Sequence, residues 1–435
     1  MKHSLVTGTA SLVMILSGTA GTIYSNLLNT EIPLDFDGVD ISIGNGTLNP
    51  FFGGVGVANN SALQPFRTGT GGLDTILNFS AGSLIDAGSL HLSTGPGGSQ
   101  GHLGSTFTAG QEGYIGFKLD DAHFGWARVV FTNNTGGAVV RDWAYATGGT
   151  GIVAGGIRQV EQDILLSSSF TLSSALADSG VATHLVMNHG GTNSLTAANS
   201  HSGNTVIASG ILSIDGSGSI NNSAVTISGG NFRYNSSVAY DGALTFTGGT
   251  ISGTNLTGTL GGLVIGENQI LSPGNSPGTA ETTSQTWAGG GTYRWEINDA
   301  AGSAGADPGW DLVAGTGTLN ISADENSPFT IAVTSLGLNN VEGDAAAFDQ
   351  AASYNWLIAD FDAVVSFASS AFAIDTSGFS NPFDGSFAIA SGEAVFGGDS
   401  SQIYLTYTPV PEPRALLLAG LGALLLLRRG SRADQ

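Results

Sequence analysis

The chain has 435 residues, of which 67 are Gly and none is Cys, with 11% charged residues and a net charge of −22. So few charges and so much Gly argue against a helical enzyme and for many short strands joined by tight turns, while an apolar fraction of 41% is too high for a disordered chain. The missing Cys excludes a disulfide framework and thiolate chemistry, and the acidity argues against nucleic acid as a partner.

At the N-terminus, Lys2 and His3 precede an apolar run from Leu5 to Leu16, and small residues at Gly18 and Ala20 follow. This is the pattern of a secretory signal peptide over residues 1–20, cut after Ala20 by signal peptidase.

Residues 23–156 read as a β-sandwich-like domain. Ile115, Phe117 and Leu119 alternate on one face of a first strand; Phe124, Trp126 and Val130 share a face of a second; Val139, Trp143 and Tyr145 share a face of a third. Asp120-Asp121-Ala122-His123 and Asn133-Asn134-Thr135-Gly136-Gly137 turn the chain between them, so an antiparallel meander is expected. The Gly-Tyr-Ile-Gly-Phe strand at 113–117 and the Gly-Trp-Ala-Arg-Val strand at 125–129 resemble a module found ahead of PEP-CTERM tails. In the same domain Asp35, Asp37 and Asp40 surround Gly38, a set that suits oxygen-only ligation of Ca²⁺ but lacks the spacing of an EF-hand. An exposed acidic turn leading into an Ile41/Ile43 strand is the competing reading.

From 157 to 283 the pattern becomes repetitive. Val206-Ile207, Ile211-Leu212 with Ile214, Val225 with Ile227, Leu244 with Phe246, Ile251, Leu263-Val264-Ile265 and Ile270-Leu271 are short apolar runs separated by Gly, Asn, Asp and Ser. Each is too short for an independent hairpin, but stacked coil on coil they can bury one apolar column, as in a right-handed β-helix. Leu195 to Leu212, with Gly203-Asn204-Thr205-Val206 leading to Gly210-Ile211-Leu212, resembles the autotransporter-associated β-strand repeat, a structural element; His201 stands where that repeat usually has Tyr. His184 and His189 lack the Glu of a zinc-binding His-Glu-x-x-His helix and read as structural.

Residues 284–409 read as a β-rich cap. A Ser-Pro-Gly-Asn-Ser-Pro-Gly turn at 272–278 leads to Tyr293-Arg294-Trp295-Glu296-Ile297 and then Gly309-Trp310-Asp311, an order that resembles the region linking such repeats to a PEP-CTERM tail. Glu296, Asp299, Asp307 and Asp311 are its best carboxylate set. Odd spacing in an extended chain sends Glu296 and Asp299 to opposite faces, so solvated strand ends are expected rather than a shared site. Trp295, Trp310 and Trp356 read as core rather than as platforms for sugar rings.

The chain ends in Val410-Pro411-Glu412-Pro413, an apolar helix over 414–427, and Arg428, Arg429 and Arg432. Pro411 and Pro413 keep their segment extended and open to an enzyme. The apolar block spans roughly 20 Å, short of the roughly 30 Å hydrocarbon core, unless flanking residues and snorkelling Arg side chains extend it. The basic cluster would lie on the cytoplasmic side. Motif, span, basic cluster and position together resemble the PEP-CTERM sorting signal over 410–435, which implies a single transmembrane helix, transient anchoring in the inner membrane and processing by exosortase. The expectation is an exported, non-enzymatic, all-β surface or extracellular-matrix protein with no cofactor, in contact with exopolysaccharide. The alternative is a β-helix that binds or cleaves polysaccharide. An autotransporter passenger is rejected, because that needs a C-terminal membrane barrel.

Overall fold

The computed structural model describes residues 21–410, apart from 53–55, 60–61, 69–74, 90–98, 103–105, 109, 121, 132–137, 256–261, 275 and 398. The fold is all-β. The short helix Gly392–Phe396 is the only α-helix among the described residues, opened by the Ser391 hydroxyl accepting from Ala394 N and closed by Gly397 in a left-handed conformation. No helix among the described residues is long and apolar enough to cross a membrane; the expected span at 414–427 and the signal peptide lie outside them. The chain divides into two compact units, Met1–Gly261 with Asn268–Ile270, and Gly262–Glu267 with Leu271–Gln435.

In the first unit the expected meander forms. Glu112–Leu119 pairs antiparallel with His123–Phe131, which pairs antiparallel with Ala138–Ala146. Thr22–Tyr24 and Thr30–Ile32 both run antiparallel along the last strand. A second antiparallel sheet comprises Ile41–Ile43, Gly46–Phe51, Gly56–Asn59 and Ser99–His102. Ile43, Leu48 and Val57 of this sheet share one buried cluster with Ile115, Phe117, Leu119, Ala127 and Val129 of the meander. The Val, Leu, Ile and Phe side chains among them contribute about 1.5–3 kcal/mol each when fully buried. One face assignment needs correction. The ladder shifts register between Arg128 and Val129, opposite Asp142 and Val140, so Arg141 is an extra residue that reverses side-chain parity. Ala138 and Val140 therefore point into the cluster with Tyr145, whereas Val139 does not share the face of Trp143 and Tyr145.

Beyond residue 162 the pairing turns parallel. Asp163–Leu166 pairs in register with His184–Met187, Leu185–Met187 with Thr205–Ile207, Thr205–Ile207 with Val225–Ile227, and Val225–Ile227 with Leu244–Phe246. A second ladder runs Phe170–Leu172, Asn193–Leu195, Leu212–Ile214, Phe232–Tyr234 and onward to Thr250–Ser252. Alternate residues Leu195, Leu212, Ile214, Phe232, Tyr234 and Ile251 are fully buried. The strand Thr205–Gly216 contributes to both ladders and bends at Gly210, whose φ is +73° and whose missing Cβ would lie 2.1 Å from the His189 carbonyl oxygen; only Gly fits there.

Parallel pairing continues through the second unit, past residue 283 where the sequence suggested a cap. Leu263–Ile265, Gln285–Trp287, Leu319–Ile321 and Val364–Val365 form one ladder. Thr279–Thr282, Leu312–Gly315 and Tyr354–Asp360 form another, and Thr292–Ile297, Phe329–Ser335 and Phe372–Gly378 a third. Trp287 stacks on Phe329 at 4.8 Å. Antiparallel strands Gln402–Thr408 and Ser386–Ser391 extend the ladder of Tyr354–Asp360. Phe348, Trp356, Phe379, Phe387 and Tyr407 pack ring to ring there.

Candidate functional site

The three motifs of the second unit converge. The Asp311 carboxylate, fully buried, accepts from Gly278 N at 2.8 Å and from Glu296 N at 3.0 Å, so it ties the Ser-Pro-Gly turn to the Tyr-Arg-Trp-Glu-Ile strand. The Trp295 indole donates to the Asp311 carbonyl at 2.9 Å, and the Ser276 hydroxyl donates to the Glu296 carboxylate. Both acids are buried, against the expectation of solvated strand ends; the Gly309-Trp310-Asp311 segment pairs antiparallel along the edge of the Glu296 strand and brings the two together. Burial pushes Asp311 well above the ordinary carboxyl range, and the Glu296 charge adds in the same direction. Burial also raises Glu296, against the pull of Ser276 and Arg294.

The rest of that carboxylate set is dispersed. Asp307 accepts from Asn298 at 2.7 Å and from Asn340 at 2.6 Å, while Asp299 accepts from Ala301 N. Trp295 and Trp356 are buried, and the Trp310 indole donates to the Leu357 carbonyl, so all three belong to the packed interior and its wall.

A buried ion cluster in the first unit was not singled out in the sequence. Arg128 donates from Nε and Nη2 to both oxygens of Asp142, each at 2.8 Å, from Nη1 to Glu112 at 2.8 Å, and from Nη2 to the Gln159 carbonyl at 2.6 Å. Tyr24 donates to the same Asp142 carboxylate at 2.7 Å. Burial works against the Arg128 charge, but Asp142 and Glu112 more than offset it and hold its pKa above the ordinary value. Burial raises the Asp142 carboxyl against the pull of Arg128. The cluster joins the first strand, the meander and Ile157–Val160. The available signal was an Arg inside the apolar run Trp126-Ala127-Arg128-Val129-Val130, which needs a partner if that strand is covered on both faces.

The acidic turn at 35–40 is exposed, and its carboxylates serve the turn itself. Asp35 accepts from Gly38 N, and Asp40 accepts from the Asn49 amide. Among the described residues no group of three His, Asp or Glu side chains is placed to hold a metal ion. The histidines brace the ladders. His184 Nδ1 accepts from Asn204 N at 2.8 Å, and His189 bonds Asn193 at 2.6 Å. His201 is fully buried against Thr205 at 3.0 Å. Asp215 accepts from Ser194, Ser213 and Asn235, which lie on three neighbouring strands of the parallel ladder, its own among them.

Of the sorting motif only Val410 is described, and it is exposed; Pro411, Glu412, Pro413, Arg428, Arg429, Arg432 and the cleavage position Ala20 lie outside the described residues. Comparison with models of known protein families finds none that matches the chain, and no curated protein matches it.

Proposed function

We propose that this chain is an exported structural protein of the bacterial surface or extracellular matrix. A signal peptide cut after Ala20 sends it across the inner membrane. The helix at 414–427 holds it there until exosortase acts at Val410-Pro411-Glu412-Pro413. In each unit the parallel ladders are read as the faces of β-helix coils, supported by their in-register parallel pairing. One observation carries the non-enzymatic part of the reading. The best-placed carboxylates, Glu296 and Asp311, are buried and spent on backbone N–H groups and a serine, where they lock coils together instead of facing a substrate. Mass spectrometry of the protein recovered from envelope and medium tests the sorting: loss of Ala415–Gln435 is expected, and full-length protein in every fraction refutes it. Incubation with acidic and neutral polysaccharides tests the non-enzymatic part, since released oligosaccharide would replace the structural reading by an enzymatic one.

A further inference from the structure

Two stacked phenylalanine rings stand in solvent on the first unit. Phe36 is 79% exposed and Phe52 is 44% exposed, with ring centroids 5.0 Å apart and planes 23° from parallel. Leu34, two positions before Phe36, is 61% exposed. The rings are fixed from below. Phe52 N donates to the Asp35 carbonyl at 2.8 Å, and Val39 N donates to the Pro50 carbonyl at 3.0 Å. The Asn49 amide donates to the Asp37 carbonyl at 3.1 Å and to the Asp40 carboxylate at 2.8 Å. These bonds clamp the turn at 35–40 onto the end of strand Gly46–Phe51. Phe52 itself holds a φ of +51°, a left-handed conformation that a bulky residue adopts only under constraint, although two glycines follow it directly in the sequence.

A single apolar side chain at the surface needs no explanation, but adjoining exposed rings with a polar rim mark a contact site. The charge of the rim selects the partner. Asp35 and Asp37 flank Phe36 in the chain, Asp40 follows, and all three are exposed. None of the three carboxylates is paired with a cation among the described residues, and no Lys or Arg occurs from residue 3 to residue 66. Asp35 and Asp40 each accept one bond within the turn, which leaves their charge and most of their acceptor capacity outward. The face of a phenyl ring is also negative, so ring and carboxylates attract the same cation. A second copy of this chain, with its net charge of −22, is repelled, as is an anionic lipid surface. We infer that Phe36 and Phe52 with this rim form a docking site for a basic segment of a partner protein, which lays a cationic side chain over the Phe36 ring within reach of the carboxylates and an apolar neighbour on Phe52. Arg suits the site better than Lys, because its planar guanidinium stacks on a ring while its fork reaches a carboxylate. This inference does not depend on the processing of the C-terminal tail.

Fluorescence anisotropy on the full chain tests it, with a dye-labelled Arg-Leu-Arg-Leu peptide amide as the probe and methyl β-glucopyranoside as a competitor. Any basic peptide is drawn to so acidic a protein, so variants that separate the patch from the bulk charge decide the outcome. Saturable binding of the probe is expected, weakening as salt is raised. Phe36→Ser keeps the net charge and alters only an exposed side chain; it should weaken the probe about three- to five-fold with unchanged circular dichroism. Asp37→Asn should weaken it about three-fold. Asp384→Asn, the same change of charge at an exposed position of the second unit, should leave it as it was. Undiminished binding by Phe36→Ser overturns the inference, as does an equal loss in Asp37→Asn and Asp384→Asn, which would reduce the binding to bulk electrostatics. Displacement of the probe by the glucoside overturns it in favour of a sugar platform, and the absence of saturable binding overturns it outright.

Discussion

Replacing His201 by Gln should remove an acid sensitivity of the parallel ladders in the first unit. The bond chain there fixes the proton. Ser223 donates to the Gly203 carbonyl at 2.6 Å, so Thr205, 2.7 Å away, donates to Ser223 and accepts from His201 Nε2. His201 Nδ1 is then the unprotonated nitrogen, and it has no partner among the described residues. A second proton would create a buried N–H and a buried charge together. Burial accordingly pulls the His201 pKa down from 6.5 to about 4, with the exposed Asp178 opposing and His184 adding to the shift. In the unfolded chain the ring binds its proton near 6.5, so the folded state loses stability as pH falls from there toward about 4. A shift of that size amounts to about 3 kcal/mol at the limit, and to about 2 kcal/mol between pH 7 and pH 5. Hydrogen exchange read by mass spectrometry on peptides from Thr205–Ile227 measures this locally. After correction for intrinsic rates, protection should fall about 30-fold over that interval in the natural chain and by far less in His201→Gln. Equal falls in the two proteins would refute the reasoning, as would a His201 ring resonance that titrates near 6.5.

The second unit should respond to acid in the opposite sense. Asp311 is raised well above 3.8, so the folded unit holds a proton that the unfolded chain releases, and its stability falls as pH rises from about 3.8 toward the folded value; Asp311→Asn should flatten that slope in denaturant titrations followed by tryptophan fluorescence. Asp311→Ala strands two buried N–H groups and should cost about 2–5 kcal/mol at neutral pH, read from the same titrations. Arg128→Ala leaves Asp142 buried without its cation and should destabilise the first unit by about 3–5 kcal/mol, whereas Arg141→Ala, in the same sheet but outside that cluster, should change its melting little. Trp287→Ala opens a cavity beside Phe329 and should cost about 3–5 kcal/mol in the second unit, with the first unit's exchange pattern unchanged.

Much of the architecture was legible in composition and periodicity. Short apolar runs punctuated by Gly and Asn can bury their side chains only in sheets, and the runs at Val206, Ile211, Val225, Leu244 and Leu263 all lie in the strands observed. Their parallel pairing was reachable too, because a run of about three residues has no stable hairpin to form by itself and pairs with the next such run. The face of Val139 was misassigned because a bulge adds a residue without any mark in the apolar pattern. The roles of Glu296 and Asp311 were misread for a related reason: strand parity predicts which way a side chain points, not which later segment pairs beside it.

What the chain determined by itself is the local grammar: extended pieces and most of their inward residues. Tertiary structure alone decided which distant polar groups meet. Arg128 reaches Gln159, and Gly278 reaches Asp311 across 33 positions. A carboxylate or imidazole has the same character in the sequence whether it ends in water or in the interior; desolvation, which arises only when distant segments pack around it, gives Asp311 and His201 their shifted proton affinities.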